Sequence, residues 1–477
     1  MSDVKKSLVL SFSSKYAQLA ISFFSSLIIA RLLGPEEVGL YSVVAGIVVV
    51  AHMLRDFGVS SYIIKEDNFT DEKCCAAFIV TAGLSWLAAG LLFVSAPYLV
   101  EFFAREEVLI IVRVLTINFI IIPFGSISLS LLRKNMNFNA LLIINVSSAM
   151  VNAISTIVLA YLGYSFMSLV WSSVAGTLVT VVLSSYYRQK IKIILPKIST
   201  MKNVFVFGGQ VSITQMMNTT IGALPEILVG KYIGVNVVGL MSRAKGLTQL
   251  FHYGVTQAIL PVLLPDLVNK NASGEGNAQR RYLDTMSMMC SIGWPFFILL
   301  AFVSDNLIVF LFGETWQPAA PYVIWFSIIA IISLAHNLAG ELFIALDQPK
   351  KMLQCRSFIN ALGLVVMLVM INFGIIYFLI GLIFIQLLSL VISQYYLDKY
   401  CNLLIMDWLK ALKLPFLLVV MITVILFGVK KVLTYWQLHD FFVLSIYSLS
   451  MFVCWLTVIV LTESKLKAEL KRILVKT

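Results

Sequence analysis

The sequence predicts an all-α polytopic membrane protein of about fourteen transmembrane helices, built as two six-helix lobes in parallel repeat plus two C-terminal helices. Three observations carry this expectation. The first is composition. Of 477 residues, 60% are hydrophobic and 12% charged, where soluble domains hold roughly 45–50% and about 25%; mean hydropathy is +0.94. The second is an internal repeat: Ala30 to Ser42, ARLLGPEEVGLYS, returns as Gly230 to Ser242, GKYIGVNVVGLMS. Gly34, Val38, Gly39, Leu40 and Ser42 fall on Gly234, Val238, Gly239, Leu240 and Ser242, and the cation Arg31 on Lys231. LLFVSAPYLVEFFA from Leu91 is likewise echoed by LAFVSDNLIVFLFG from Leu300, and Tyr186-Tyr187 by Tyr395-Tyr396. A recurring offset of this size marks duplicated architecture. The third observation is the uneven placing of cations along the chain.

A bilayer core about 30 Å thick needs roughly 20 mostly apolar residues per helix. Barrel strands would alternate rather than run apolar, so helices are the expected element. Breaks at charged, Gly, Pro or Asn residues divide the first half into segments near 12–33, 38–62, 75–100, 108–132, 140–161 and 165–187. A basic stretch, RQKIKIILPKISTMK from Arg188 to Lys202, then interrupts the pattern. The second half gives 204–229, 237–264, 284–304, 319–346, 355–372 and 374–397, and two segments without a copy follow at 412–429 and 440–462. The expected organisation is an N-lobe at 1–187, a cytoplasmic basic linker at 188–203 and a C-lobe at 204–397. Two additional helices at 398–462 and a basic cytoplasmic tail at 463–477 complete it. Six helices per lobe insert both copies in the same orientation, related by a pseudo-two-fold along the membrane normal.

Counting along this scheme, 27 of the 35 Lys and Arg fall on the side of the N-terminus, five on the opposite side and three inside segments. The positive-inside rule then places both termini in the cytoplasm. It also explains the net charge of +11 without nucleic acid. The first apolar run carries Lys15 and Gln18 and lacks a small-residue cleavage site, so no cleaved leader is expected. The six cysteines are scattered and read as small apolar residues. Neither a metal-ligand pattern nor HExxH, P-loop or GxSxG occurs. The expectation is a non-enzyme with no catalytic residues, metal or cofactor.

Polar residues inside a membrane segment need a reason, since an Arg, Lys or Asp at mid-bilayer costs about 2.5–3.5 kcal/mol. In the eighth segment Ser242, Lys245, Gln249, His252 and Thr256 form one helical stripe with Arg243 beside it. In the seventh, Thr214, Asn218, Gly222 and Glu226 step by four, with Pro225 beside the acid. The first segment offers Lys15, Gln18, Ser22 and Ser26, and the fifth Asn145, Ser148, Asn152 and Thr156. Stripes in both halves predict a polar, net-cationic cleft between two bundles, suited to an anion. Two readings stand side by side for the cations near segment ends. Arg31, Arg55, Arg105 and Lys231 either face the cleft or anchor at the headgroups. Arg243 and Lys245 lie deeper and are read into the cleft. Glu226 is a cation's partner or a titrating group, His252 binds a hydroxyl or titrates, and Asp56 pairs with Arg55 as a gate or couples an ion. Glu341 and Asn337 are further candidates in the tenth segment, while His52 and His336 read as packing residues.

Leu27 to Ile64, with its A-R-x-L-G-P-x-x-x-G-x-Y run and the D-x-G at Asp56 to Gly58, resembles the opening helix pair of the Wzx-type polysaccharide exporters. These are lipid-linked oligosaccharide flippases of the multidrug/oligosaccharidyl-lipid/polysaccharide (MOP) superfamily. ILVGKYIGVNVVGLMSRAKGL from Ile227 is similar to the family's seventh and eighth helices, with Met241 where a Tyr is often found. The resemblance implies translocation of undecaprenyl-pyrophosphate-linked O-antigen, capsule or exopolysaccharide units from the cytoplasmic to the periplasmic leaflet of the bacterial inner membrane, by alternating access. It implies Arg55, Arg243 and Lys245, then Arg31 and Arg113, as cations for the pyrophosphate, with Gln249 and Asn218 toward the glycan. Glu226, His252 and Asp56 become candidates for ion coupling. Expected partners are the lipid-linked oligosaccharide, membrane lipids and polysaccharide polymerase or assembly proteins, without nucleic acid, around a monomer. A MATE-type drug or metabolite antiporter is the alternative within the fold, and a membrane glycan polymerase or ligase the alternative outside it. The Gly-Pro turn of the repeated motif falls outside the membrane, and its glycines are expected to shape a tight helical connection rather than touch substrate.

Overall fold

The computed structural model describes residues 2–66, 68, 70–187, 192, 194–272, 274, 277–433 and 439–461. Within these it does not describe the side chains of 2–8, 56, 210, 211, 213–218 and 461. The described residues are helical with short connections. Chain contacts group residues 1–239 and 240–477 into two compact units.

The first unit opens with α1 (Ser2–Leu32), α2 (Pro35–Asp56), α3 (Val59–Lys65), α4 (Asp71–Phe103) and α5 (Glu107–Ile121). It continues through α6 (Pro123–Lys134), α7 (Phe138–Tyr161), α8 (Met167–Tyr186) and α9 (Ile198–Tyr232), and ends within α10 (Val235–Phe251). Local sequence sets the turns. Gly34 precedes Pro35 at the first helical position, where a missing N–H costs nothing. Glu37 Oε2 accepts from Gly34 N–H at 2.6 Å, the backbone-to-Glu half of a capping box. Glu36 pairs with Arg105 at 2.7 Å, and the Ser165 hydroxyl donates to Glu37 Oε1, so the turn is tied to two other connections.

Two apolar segments that the sequence reads as single spans are broken. The segment near 38–62 divides at Phe57 (φ 20°) and Gly58 (φ 58°), and a Cβ on Gly208 of α9 would collide with the Phe57 carbonyl oxygen. The segment near 108–132 bends by 52° between α5 and α6, where Pro123 has no N–H to continue the ladder. Gly39 and Gly239, equivalent glycines of the repeated motif, sit at a reciprocal crossing. A Cβ on Gly39 would strike the Val235 carbonyl oxygen, and one on Gly239 the Pro35 carbonyl oxygen.

The second unit takes up the rest of α10, a π-helical turn at His252–Thr256, α11 (Gln257–Ala272), α12 (Asn277–Phe302), α13 (Ser304–Phe312) and a 3-10 turn at Glu314–Ala319. Then come α14 (Ala320–Leu334), α15 (Ala339–Ala345), α16 (Pro349–Met370), α17 (Ile375–Cys401), α18 (Ile405–Leu433) and α19 (Asp440–Leu461). Helix α12 forms the core, burying Tyr282, Met286, Met289 and Cys290. The two helices without a repeat copy join it: Leu418, Ile422 and Leu426 of α18 and Tyr447, Cys454 and Val458 of α19 pack with Ile298 and Val303. Between α14 and α15 the helix opens, and its freed carbonyls are capped. Trp294 Nε1 donates to Ile331 O at 2.9 Å and Trp408 Nε1 to Ala335 O at 3.3 Å, as buried backbone in lipid requires. Helix α13 and the 3-10 turn occupy residues read from sequence as a loop.

Among the described residues, eleven helices, or twelve when α5 and α6 count as one bent span, are long and apolar enough to cross a membrane. The chain is thus a multi-pass, all-helical membrane protein. Of the fourteen expected spans, α1 and α9 are the two not among these; α1 carries Lys5, Lys6 and Lys15, and α9 carries Gln210, Gln215, Asn218 and Glu226.

Candidate functional site

Inside the first unit, α1, α7 and α8, with Ile122 at the α5–α6 bend, line an open cavity of about 310 Å³ whose wall is largely polar. Helix α1 supplies Gln18, Ser22 and Ser25, α7 supplies Asn145, Ser148 and Asn152, and α8 supplies Ser173, Thr177 and Thr180. The spacing of three and four along α7 places its three polar residues on one face. The approach of α7 to α8 depends on Gly176, where a Cβ would lie 3.3 Å from Asn152 Cβ and 3.4 Å from Ser148 O. Across this crossing the Thr180 hydroxyl donates to Ser148 Oγ at 2.9 Å and Ser148 Oγ donates to Gly176 O at 2.8 Å. Gln18 Nε2 donates to Ser14 O and Ser14 Oγ at 3.1 and 3.2 Å. Behind the wall, Asn118 Nδ2 donates to Ser173 Oγ at 3.1 Å. The lining holds no Lys, Arg, Asp or Glu.

Sequence periodicity found two of the three walls. Gln18, Ser22, Asn145, Ser148 and Asn152 of the expected stripes line the cavity. Lys15 and Ser26 do not, and Thr156 lies buried with its hydroxyl on Asn152 O at 2.8 Å. The contribution of α8 went unread, although Ser173, Gly176, Thr177 and Thr180 at spacings of three, one and three were its signal.

The other predicted site residues lie elsewhere. Arg31 is exposed in the last turn of α1, and Arg55 half-buried in the last turn of α2. The Arg113 guanidinium is 4.9 Å from the centre of the Phe93 ring. The Arg243 guanidinium on α10 lies 5.7 Å from the centre of the Phe312 ring and 5.2 Å from that of Trp316, with its Nε buried and lacking an acceptor among the described residues. Lys245 and Gln249, on the same helix, are half-buried, as is Glu226 beside Pro225 in α9. His252 opens the π-helical turn, its Nε2 3.1 Å from Gln257 Nε2. Asn218 and Asp56 have side chains outside the described residues. His52 stacks on Phe119 at 4.6 Å, and His336 contacts Ser389 Oγ at 2.9 Å. No group of three or more His, Cys, Asp or Glu is placed to hold a metal among the described residues.

This helical membrane fold is found among known structures. The fold is similar to that of the lipid II flippase MurJ in its inward closed conformation, with a TM-score of 0.74 at 15% identity, covering 94% of this chain and 97% of that one. It is also similar to an inward-facing multidrug resistance MATE family transporter of the MOP superfamily, with a TM-score of 0.61 at 16% identity, covering 83% and 99%. Residues 28–321 match the family described as Polysaccharide biosynthesis protein. The chain belongs to that family. Among its relatives are the teichuronic acid biosynthesis protein TuaB of Bacillus subtilis (strain 168), 27% identical over 62% of each chain, and the lipopolysaccharide biosynthesis protein WzxC of Escherichia coli (strain K12). WzxC is 21% identical over 67% of this chain and 65% of that one. The match therefore spans less than two thirds of either relative's own length.

Proposed function

We propose that the chain is an exporter that carries an oligosaccharide linked to undecaprenyl pyrophosphate from the cytoplasmic to the periplasmic leaflet by alternating access. The observation that carries this reading is the cavity of about 310 Å³ lined by amides and hydroxyls within an otherwise apolar bundle. Such a wall suits an uncharged, hydroxyl-rich group, and membership of the polysaccharide biosynthesis family supplies the class of cargo. The MATE-type reading asks for an acid in the binding cavity to meet a cationic drug, and this wall contains none. In the proposed topology α1 and α9 also cross, making fourteen spans in two six-helix repeats plus α18 and α19. Both termini are then cytoplasmic, in the inner membrane of a bacterium. The pyrophosphate is assigned to cations, with Arg55 in the first unit and Arg243 and Lys245 in the second as candidates, then Arg31 and Arg113. Charge-assisted bonds from Arg and Lys are the usual grip on phosphate oxygens. Glu226, His252 and Asp56 remain the candidates for ion coupling, and polysaccharide polymerase or assembly proteins the candidates for partners.

The test replaces Arg243 and Lys245 singly by Ala in a strain whose surface glycan depends on this chain, with membrane insertion followed in parallel. The expected outcome is inserted protein without glycan export. Full export in both variants ends the assignment of these cations to the pyrophosphate.

A further inference from the structure

Two of the three carboxamides on the cavity wall are left open to it. Gln18 is engaged by Ser14, but Asn145 and Asn152 have no side-chain hydrogen bond among the described residues. Both project from one face of α7, two turns apart, with Ser148 between them. An amide in a membrane helix ordinarily bonds across a helix contact, because hydrocarbon offers it nothing. Two amides without a side-chain hydrogen bond among the described residues, and facing the same cavity, point to a ligand that supplies the missing bonds.

The chemistry of that ligand follows from the wall. A carboxamide offers an acceptor and a two-hydrogen donor on neighbouring atoms, the complement of two adjacent sugar hydroxyls or of an acetamido group. Ile21, Ile122, Ala149 and Ala153 complete the lining and suit the C–H face of a sugar ring. A phosphate or uronate would enter without a counter-charge, and an ammonium without a carboxylate, each at a large desolvation cost. The volume of about 310 Å³ lies at the small end of ligand pockets and has room for roughly one or two sugar rings.

We propose that this cavity is a specificity subsite for an uncharged sugar of the cargo, held by Asn145 and Asn152 and separate from the cations that take the pyrophosphate. The inference rests on the export reading and adds to it where the glycan is distinguished from its lipid carrier.

The experiment uses the full chain in lipid nanodiscs and two probes: bare undecaprenyl pyrophosphate, and the undecaprenyl-pyrophosphate-linked glycan extracted from the strain that encodes the chain. The unsubstituted chain is expected to bind the glycan-bearing lipid about tenfold or more tightly than the bare lipid, the worth of two net hydrogen bonds. In the Asn145→Ala/Asn152→Ala double variant the bare lipid binds as before and the preference disappears. Asn152→Asp, nearly isosteric, is expected to lose the same preference and decides the matter where the double variant is unstable. A preference that survives in the variants, or an equal loss of affinity for both lipids, overturns the subsite. Equal binding of the two lipids by the unsubstituted chain overturns the subsite alone, whereas binding of neither overturns the export reading with it.

Discussion

Glu72, at the start of α4, holds the stretch that joins the two sequence repeats. Its Oε1 accepts from Lys197 N–H at 3.1 Å and from the Thr200 hydroxyl at 3.0 Å, and Ile194 N–H reaches Cys75 Sγ at 3.5 Å. The Lys197 N–H, followed by the Thr200 hydroxyl, holds the Glu72 carboxyl below the usual carboxylate range. A depressed folded value means that the docking is complete above the unfolded value of about 4.3 and is lost as pH falls through the lowered one. Protection against hydrogen exchange at residues 194–200, taken relative to the intrinsic rate at each pH, is expected to be high near pH 7 and to fall under acid. In Glu72→Gln it should be lower at neutral pH and less sensitive to acid; unchanged protection in that variant would separate Glu72 from the docking. Arg243 presents a different residue-scale case. Beside the rings of Phe312 and Trp316, its planar guanidinium does what an ammonium cannot. Arg243→Lys is expected to lower stability by about 1 kcal/mol despite keeping the charge, as read from thermal unfolding in detergent. An unaltered midpoint would deny the rings a role.

The glycines of the repeated motif divide their tasks at the level of helices. Gly34 sits at the N-terminal cap of α2 in an ordinary extended conformation (φ −81°), so the turn does not demand a glycine there, contrary to the sequence expectation. Gly39 and Gly239 do something the sequence could not disclose, because their collision partners, the Val235 and Pro35 carbonyls, lie some two hundred positions away in the chain. Periodicity reveals a face but not what approaches it. Replacing either glycine by Leu inserts a side chain against immobile backbone, and overpacking of this kind costs about 1–3 kcal/mol or more. Both variants are expected to insert poorly or to unfold at lower temperature, while Gly222→Ala, with open space around it, is tolerated. Equal behaviour of all three would remove the crossing as a constraint. The helix breaks were not read from the sequence: Pro123, at the bend between α5 and α6, lay unremarked inside a segment counted as one span, and the break at Phe57 and Gly58 needs Gly208 of α9 beside it. The α8 wall of the cavity was overlooked because its hydroxyls, read alone, are ordinary helix-contact residues. They acquire meaning only opposite Asn145 and Asn152.

For the molecule as a whole, hydropathy and repeat were enough to foresee a helical membrane protein, since both report length and burial along one chain. The outward faces bear this character: Phe441, Phe442, Leu449, Phe452 and Val453 of α19 are all exposed, as lipid contact demands. The number of spans was less legible where polar residues dilute the apolar signal, as Lys15 and Gln18 do in α1 and Gln210, Gln215 and Asn218 in α9. Single cysteines in a background lacking the six native ones test the topology. Asn68→Cys and Asn269→Cys are expected to be labelled from the cytoplasm, and Tyr164→Cys and Thr315→Cys from the periplasm. The reverse pattern would invert the scheme. The export claim itself is tested most directly by mass spectrometry of the lipid-linked glycans in a strain deleted for this chain, with leaflet assignment by an impermeant lectin. The expected result is accumulation of undecaprenyl-pyrophosphate-linked repeat units on the cytoplasmic face, reversed by the intact gene. Unchanged lipid-linked glycans together with an undiminished surface polysaccharide would contradict it.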